Sequence, residues 1–255
     1  MDINLVVLNL GNTRLAIGAF KAGELVSTAR ISNNRPAEWT TAIEQAWNLL
    51  PGHKAVIAAS VSPKLEKTLE QTIDQSLNQQ LQWVGRQIDL PIEVATENPR
   101  QTGIDRVLNV AAAYEQMEKA CIVVDAGTAI TIDCCNDKGE FVGGAIAPGI
   151  EMQLDALHDR TAALPRVDFA IPQNACGRST AEAIQSGVYH GIRGLVKEIA
   201  EGYAMQLSTW PEIIGTGGDA EKLFSGWELI HAIAPDLTLY GIAMAYTEHH
   251  INHDT

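Results

Sequence analysis

Three short stretches set carboxylates, amides and hydroxyls beside glycine: Asn9-Leu10-Gly11-Asn12-Thr13-Arg14, Asp125-Ala126-Gly127-Thr128 and Gly215-Thr216-Gly217-Gly218-Asp219. Glycine lets a backbone come close to a phosphate, and Asn and Thr side chains add donors. Each stretch also reads as an ordinary turn, because Asn and Gly form turns readily. The first two share one design, an apolar run, Asn or Asp, one residue, Gly, then a second run alternating at period two. That is the pattern of a β-hairpin. Two such turns can grip a triphosphate between them. The third stretch does not match G-x-G-x-x-G, since Ala220 stands sixth and no ribose-binding acid follows at the usual distance, which argues against a dinucleotide site.

A fourth stretch, Gly103-Ile104-Asp105-Arg106, opens a helical pattern. An acid there is favoured by the helix dipole alone. In a functional reading Asp105 is a general base for a hydroxyl proton, and Arg106 holds a carboxylate or phosphate by its planar fork. The paired glycines of Gly143-Gly144-Ala145-Ile146-Ala147-Pro148-Gly149 mark either tight strand packing or a backbone facing a ligand. The other reactive residues carry less. Cys121, Cys134, Cys135 and Cys176 have no C-x-x-C spacing, and the first three read as buried apolar residues of a reduced protein. His249, His250 and His253 have no opposing ligands and read as a solvated terminus. Ser60 lacks a G-x-S-x-G elbow.

The elements that must position these groups follow from periodicity. Helical spacing covers 36–50, 63–79, 104–117, 150–157, 179–207 and 240–250, the fifth opened by the cap-like Ser179-Thr180 with Glu182. Strand-like runs cover 54–60, 81–84, 141–146 and 212–214, besides the two hairpins. The repeated hairpin suggests an internal duplication into two similar α/β halves, divided near 117–120 into 1–118 and 119–255.

Composition bounds the rest. Of 255 residues, 46% are hydrophobic, as in a core-forming chain. The net charge of -13, from 31 acidic and 18 basic residues, disfavours nucleic acid and also repels ATP, so phosphate binding must be local. The longest apolar runs are too short to span a bilayer. Met1-Asp2 opens directly into a strand-like run, so no signal peptide and a cytoplasmic location are expected.

Taken in order, Asn9-x-Gly11-Asn12-Thr13, Gly103-x-Asp105-Arg106, Asp125-Ala126-Gly127-Thr128-Ala129, Gly143-Gly144-x-Ile146-x-Pro148-Gly149, Leu164-Pro165, Gly177-Arg178-Ser179-Thr180 and Gly217-Gly218-Asp219 resemble the type III pantothenate kinases, from residue 3 to about 245. The resemblance implies two actin-like, ribonuclease H-like α/β halves, each a mixed sheet flanked by helices. It implies a homodimer that transfers the ATP γ-phosphate to the primary hydroxyl of pantothenate, the first step of coenzyme A synthesis. Mg²⁺ would accompany the nucleotide, with a monovalent cation, K⁺ or NH₄⁺. By carry-over Asp105 is the catalytic base, while Gly103, Ile104, Arg106 and Thr180 meet pantothenate. Asn9, Gly11, Asn12, Thr13, Arg14, Gly127, Thr128, Gly217, Gly218 and Asp219 meet ATP, and Asp125 a cation. Two positions depart from the family pattern. Asn9 stands where Asp is usual, which removes an anionic oxygen from the metal's surroundings. Thr96 stands where Tyr is frequent. Asn9 leaves an alternative open, a weakly active or inactive homologue with a ligand-binding or regulatory role. Thr96 leaves open a kinase of another small alcohol.

Overall fold

The computed structural model describes residues 4–253; Met1 and Asp2, on which the absence of a signal peptide was read, lie outside the described residues. The chain divides into two compact units. Unit 1 comprises Met1–Glu93, Glu97–Ala112 and Leu237–Thr255, and unit 2 comprises Val94–Thr96 and Ala113–Asp236.

In unit 1 the strands are β1 (Asn4–Leu10), β2 (Arg14–Lys21), β3 (Glu24–Ser32), β4 (Lys54–Ser60) and β5 (Gln82–Trp83), and the helices are α1 (Ala37–Leu49) and α2 (Pro63–Leu77). The sheet order is β3-β2-β1-β4-β5, with β1–β3 an antiparallel meander and β4 and β5 added parallel. The period-two pattern sorts side chains onto two faces. Val6, Leu8, Leu10, Leu15, Ile17, Val56 and Ala58 join a core with Trp39 and Ile43 of α1 and Leu69 and Ile73 of α2. Leu5, Val7, Phe20, Ile57 and Ala59 turn to the other face. With both faces covered, β1 reads as a continuous apolar run. Each fully buried Val, Leu or Ile here contributes about 1.5–3 kcal/mol.

The cover on that second face comes from α3 (Ile104–Met117) and α7 (Leu237–His253). Leu108 of α3 and Leu239, Ile242, Ala245 and Tyr246 of α7 complete the cluster. Close approach of the two helices depends on Gly241, where a Cβ would lie 2.2 Å from the Leu108 carbonyl oxygen. The unit division therefore falls within α3, after Ala112, and the closing helix returns to unit 1. A single cut near residue 118 does not capture that return.

Unit 2 repeats the plan. Its strands are β6 (Cys121–Ala126), β7 (Ala129–Cys135), β8 (Phe141–Pro148), β9 (Glu212–Thr216) and β10 (Ala232–Ile233). The order β10-β9-β6-β7-β8 is that of unit 1, antiparallel meander and parallel pair alike. Ile122, Val124, Ile130 and Ile132 pack under α4 (Ile150–Asp159), α5 (Thr180–Leu207) and α6 (Ala220–Phe224). The start of helix α5 is held on both sides of its N-cap Ser179: Glu182 N donates to Ser179 Oγ at 3.2 Å, and Arg178 N donates to Glu182 Oε2 at 2.6 Å.

The structure separates the two readings of the glycine pair. Gly144 lies opposite Asp133, and a Cβ there would stand 2.1 Å from the Ile132 carbonyl oxygen, so strand packing demands it. Gly143 has φ +121° beside the register shift at Cys134/Cys135, so conformation demands it. All four cysteines are free, with Cys121, Cys134 and Cys135 buried and Cys176 exposed.

Candidate active site

The sequence-predicted site residues occupy loops at the carboxyl ends of parallel strands, and the first turns of two helices. In doubly wound sheets that end of the strands is where ligands bind.

In unit 1, Asn9 is half-buried near the end of β1, and residues 11–13 turn the chain into β2, with Arg14 its first residue. Gly11 N donates to the Arg14 carbonyl at 3.1 Å, closing the turn. A residue that pattern reading passed over braces it. The Asn33 side-chain amide donates to the carbonyls of Gly11 at 2.9 Å and Asn12 at 3.1 Å, and Asn33 N donates to the Thr13 carbonyl at 2.9 Å. Asn9 Oδ1 is buried and accepts no hydrogen bond from any described residue. An orphaned buried amide oxygen suits a hard cation or its water shell.

Also in unit 1, Gly103, Ile104, Asp105 and Arg106 form the start of α3, all half-buried. Arg106 N donates to Asp105 Oδ1 at 2.9 Å and to the Gly103 carbonyl at 3.1 Å. Gly103 makes room, since a Cβ would sit 2.9 Å from Asp105 Oδ1. Burial pushes the Asp105 carboxyl above its ordinary value of 3.8, against the lowering effect of the Arg106 N–H and guanidinium. A carboxylate moved upward in this way is a better proton acceptor.

In unit 2, Asp125 is half-buried on β6, and Gly127 and Thr128 form the turn to β7. Gly127 N donates to the Ala129 carbonyl at 3.0 Å. The neighbouring strand β9 pairs Thr216 with Asp125, which brings Gly217, Gly218 and Asp219 alongside. Asp219 N donates to the Ala126 carbonyl at 2.9 Å. At Gly217, with φ +92°, a Cβ would lie 2.3 Å from Asp125 Oδ1 and 2.4 Å from the Ala126 carbonyl oxygen. The contacts of this unit thus gather Asp125, Gly127, Gly217 and Asp219. Gly149 supports the same turn from below: its N–H donates to the Thr128 carbonyl at 3.1 Å, and a Cβ would stand 2.2 Å from the Gly127 carbonyl oxygen. The Pro148-Gly149 signal in the sequence marked that residue without its purpose. Thr180, exposed, is held by a different set of contacts as the first residue of α5.

Two α/β units of one topology, each with a glycine-bearing hairpin turn, define an actin-like ATPase and sugar-kinase fold. The structure matches a conserved Baf family protein from Campylobacter jejuni at TM-score 0.63, with 20% identity over 95% of this chain and 98% of that one. It matches the ADPNP-bound activator of 2-hydroxyisocaproyl-CoA dehydratase from Clostridium difficile at TM-score 0.55, with 13% identity over 98% and 97%. The family model for type III pantothenate kinase matches residues 5–202. Type III pantothenate kinases from Solibacter usitatus and Geobacter sulfurreducens are 33% identical over 253 residues and 35% identical over 249. The alignments cover 96% and 95% of this chain, and 97% and 98% of those proteins. The chain belongs to the type III pantothenate kinase family.

Proposed function

We propose that the protein transfers the γ-phosphoryl group of ATP to the primary hydroxyl of pantothenate, with Asp105 as the base. The observation that carries the assignment of the base is Asp105 itself, a half-buried carboxylate of raised basicity on the first turn of α3, beside Arg106. In the step, the bond from the γ-phosphorus to the bridging oxygen of ADP breaks and a bond from phosphorus to the pantothenate oxygen forms. The hydroxyl proton passes to an Asp105 carboxylate oxygen. Such transfers need positioning and charge neutralisation more than covalent help. Arg106 offers a planar cation for the pantothenate carboxylate, and Gly103, Ile104 and Thr180 complete the substrate contacts.

For the nucleotide, Gly11, Asn12, Thr13 and Arg14 in unit 1 and Gly127 and Thr128 in unit 2 hold phosphates. Gly217, Gly218 and Asp219 lie near the adenosine. Mg²⁺ would enter with ATP and neutralise charge on the phosphates; Asn9 in unit 1 and Asp125 in unit 2 each offer an oxygen of the kind that would hold it. Asp125 also serves a monovalent cation, K⁺ or NH₄⁺, and the protein works as a homodimer in the cytoplasm. No helix among the described residues is long and apolar enough to cross a membrane.

Mass spectrometry of the products tests the substrate. With ATP, Mg²⁺ and K⁺, pantothenate should gain one phosphoryl group while sugars and other hydroxy acids do not. Equal or faster phosphorylation of another alcohol would replace pantothenate in this reading.

A further inference from the structure

The last turn of α7 carries His249, His250 and His253, and the structure gives two of them an opposing ligand that their place in the sequence conceals. His249 and His253 are one helical turn apart on one face, their rings stacked with centroids 4.2 Å apart. His250 is engaged elsewhere, stacked on Tyr246 at 4.0 Å. From the loop after β5, Asp89 brings Oδ2 to 3.2 Å from His249 Nδ1. One ligand atom from each of Asp89, His249 and His253 lies within 4.8 Å of the other two.

These spacings can be set against a metal's requirements. Two donors on a tetrahedral ion, with bonds of about 2.0–2.1 Å, sit about 3.3 Å apart. His249 Nδ1 and Asp89 Oδ2 already have that separation. The third donor, on the exposed His253, lies within 4.8 Å of the other two and closes by a tilt of the ring. Its ring is set for the purpose: His253 Nδ1 lies 2.8 Å from the His249 carbonyl oxygen. A carbonyl only accepts, so Nδ1 is the donor in this contact, and in the neutral ring Nε2 is the nitrogen with a lone pair for a metal. Metal-bound imidazoles are held by their second nitrogen in this way.

We propose that Asp89, His249 and His253 form a site for a divalent d-block cation such as Zn²⁺, with water completing the coordination. Two imidazoles and one carboxylate suit Zn²⁺, Co²⁺ or Ni²⁺, whereas Mg²⁺ demands oxygen ligands in octahedral array. None of the three residues belongs to the nucleotide or pantothenate set. The Asp89 side chain is 75% exposed, so the site is open to water and weaker than a closed structural site. The bound ion ties the end of α7 to the loop whose Ile88 is buried in the same core as Leu108 of α3. It clasps the last turn of α7 to the rest of unit 1.

Calorimetric titration of the full chain with Zn²⁺ tests this, in a Cys176→Ser background that removes the exposed thiol. The expected result is one ion per chain, at least tenfold weaker binding in His253→Gln and weaker binding in Asp89→Asn. His250→Gln should bind as the parent does. Circular dichroism and kinase turnover should be unchanged in His253→Gln, which separates loss of a ligand from loss of fold. Absence of binding at micromolar Zn²⁺, or unaltered binding in His253→Gln, overturns the proposal. So does an equal loss in His250→Gln, which would mean chelation by a histidine-rich tail instead of by this cluster.

Discussion

Replacing Gly217 by Ala tests whether the turn after β9 is held in place by its closeness to β6. Two costs follow from the structure. The residue has φ +92°, a conformation that costs an L side chain about 1–3 kcal/mol. The new Cβ would also lie 2.4 Å from the Ala126 carbonyl oxygen, where 3.0 Å is the closest approach real Cβ atoms make. The turns must part by the difference, 3.0 minus 2.4, or 0.6 Å. Backbone lies on the far side of that contact, so no side chain can simply swing away, and overpacking of this kind costs about 1–3 kcal/mol. The sum is roughly 2–6 kcal/mol, a large part of the 5–15 kcal/mol that holds typical domains. Urea unfolding should show a clear fall in midpoint. Where the variant still folds, the KM for ATP should rise at least tenfold, because a displacement approaching 1 Å is enough to misalign reacting groups. Gly187→Ala is the reference. Gly187 is exposed within α5 with nothing within 4 Å of its would-be Cβ, so Ala should stabilise by about 0.5–1 kcal/mol and leave KM alone. A Gly217→Ala protein matching the parent in midpoint and KM would show that closeness to β6 does not hold this turn in place.

Three further outcomes follow. Asn33→Ala removes two donors from the carbonyls of the first turn and should cost about 1–2 kcal/mol in unfolding free energy, with a raised KM for ATP. Asn9→Asp adds an anionic oxygen at a buried acceptor; a titration of rate against Mg²⁺ should reach half-maximum at lower Mg²⁺, while thermal stability without Mg²⁺ falls. The raised carboxyl of Asp105 binds its proton more tightly in the folded than in the unfolded chain, so its contribution to stability falls as pH rises through the folded value. Asp105→Asn should therefore melt above the parent at neutral pH, with that advantage gone below the unfolded value. An advantage that persisted in acid would point to a cause other than this carboxyl.

Much of this molecule could be read in its sequence where local rules hold. The hairpin signature at 6–18 and its copy at 123–133 became β1–β2 and β6–β7, and the shared strand order of the two units carries the duplication through. Strand β4 and helix α3 have the bounds their periodicity predicts. Strand β3 was not read, because its alternation is shallow: as an edge strand it buries no residue fully. The short α6 and β10 carry too few residues for a period to register. Longer-range features escaped for another reason. That α7 packs in unit 1 depends on Leu239, Ile242 and Tyr246 meeting Val7 and Phe20, more than two hundred residues away in the chain. Asn33 looks like any loop residue until its amide is seen on the carbonyls of Gly11 and Asn12. Asp89 and His249 are 160 residues apart, a separation no local pattern spans. Asp105 and Arg106 are the converse case: the motif named them, and the structure adds the burial that raises one and the N–H that steadies it.

A pantothenate kinase whose base is Asp105 makes two separable demands on activity. The most direct measurement is ADP release coupled to a reporter reaction, with ATP, Mg²⁺, K⁺ and pantothenate, for the parent and Asp105→Asn side by side. The parent should turn over only when pantothenate is present, and the variant should lose at least a hundredfold in kcat while keeping its fold, as expected when a general base is removed. Turnover in Asp105→Asn equal to the parent's would contradict the assignment of the base, and no pantothenate-dependent turnover in the parent would contradict the function.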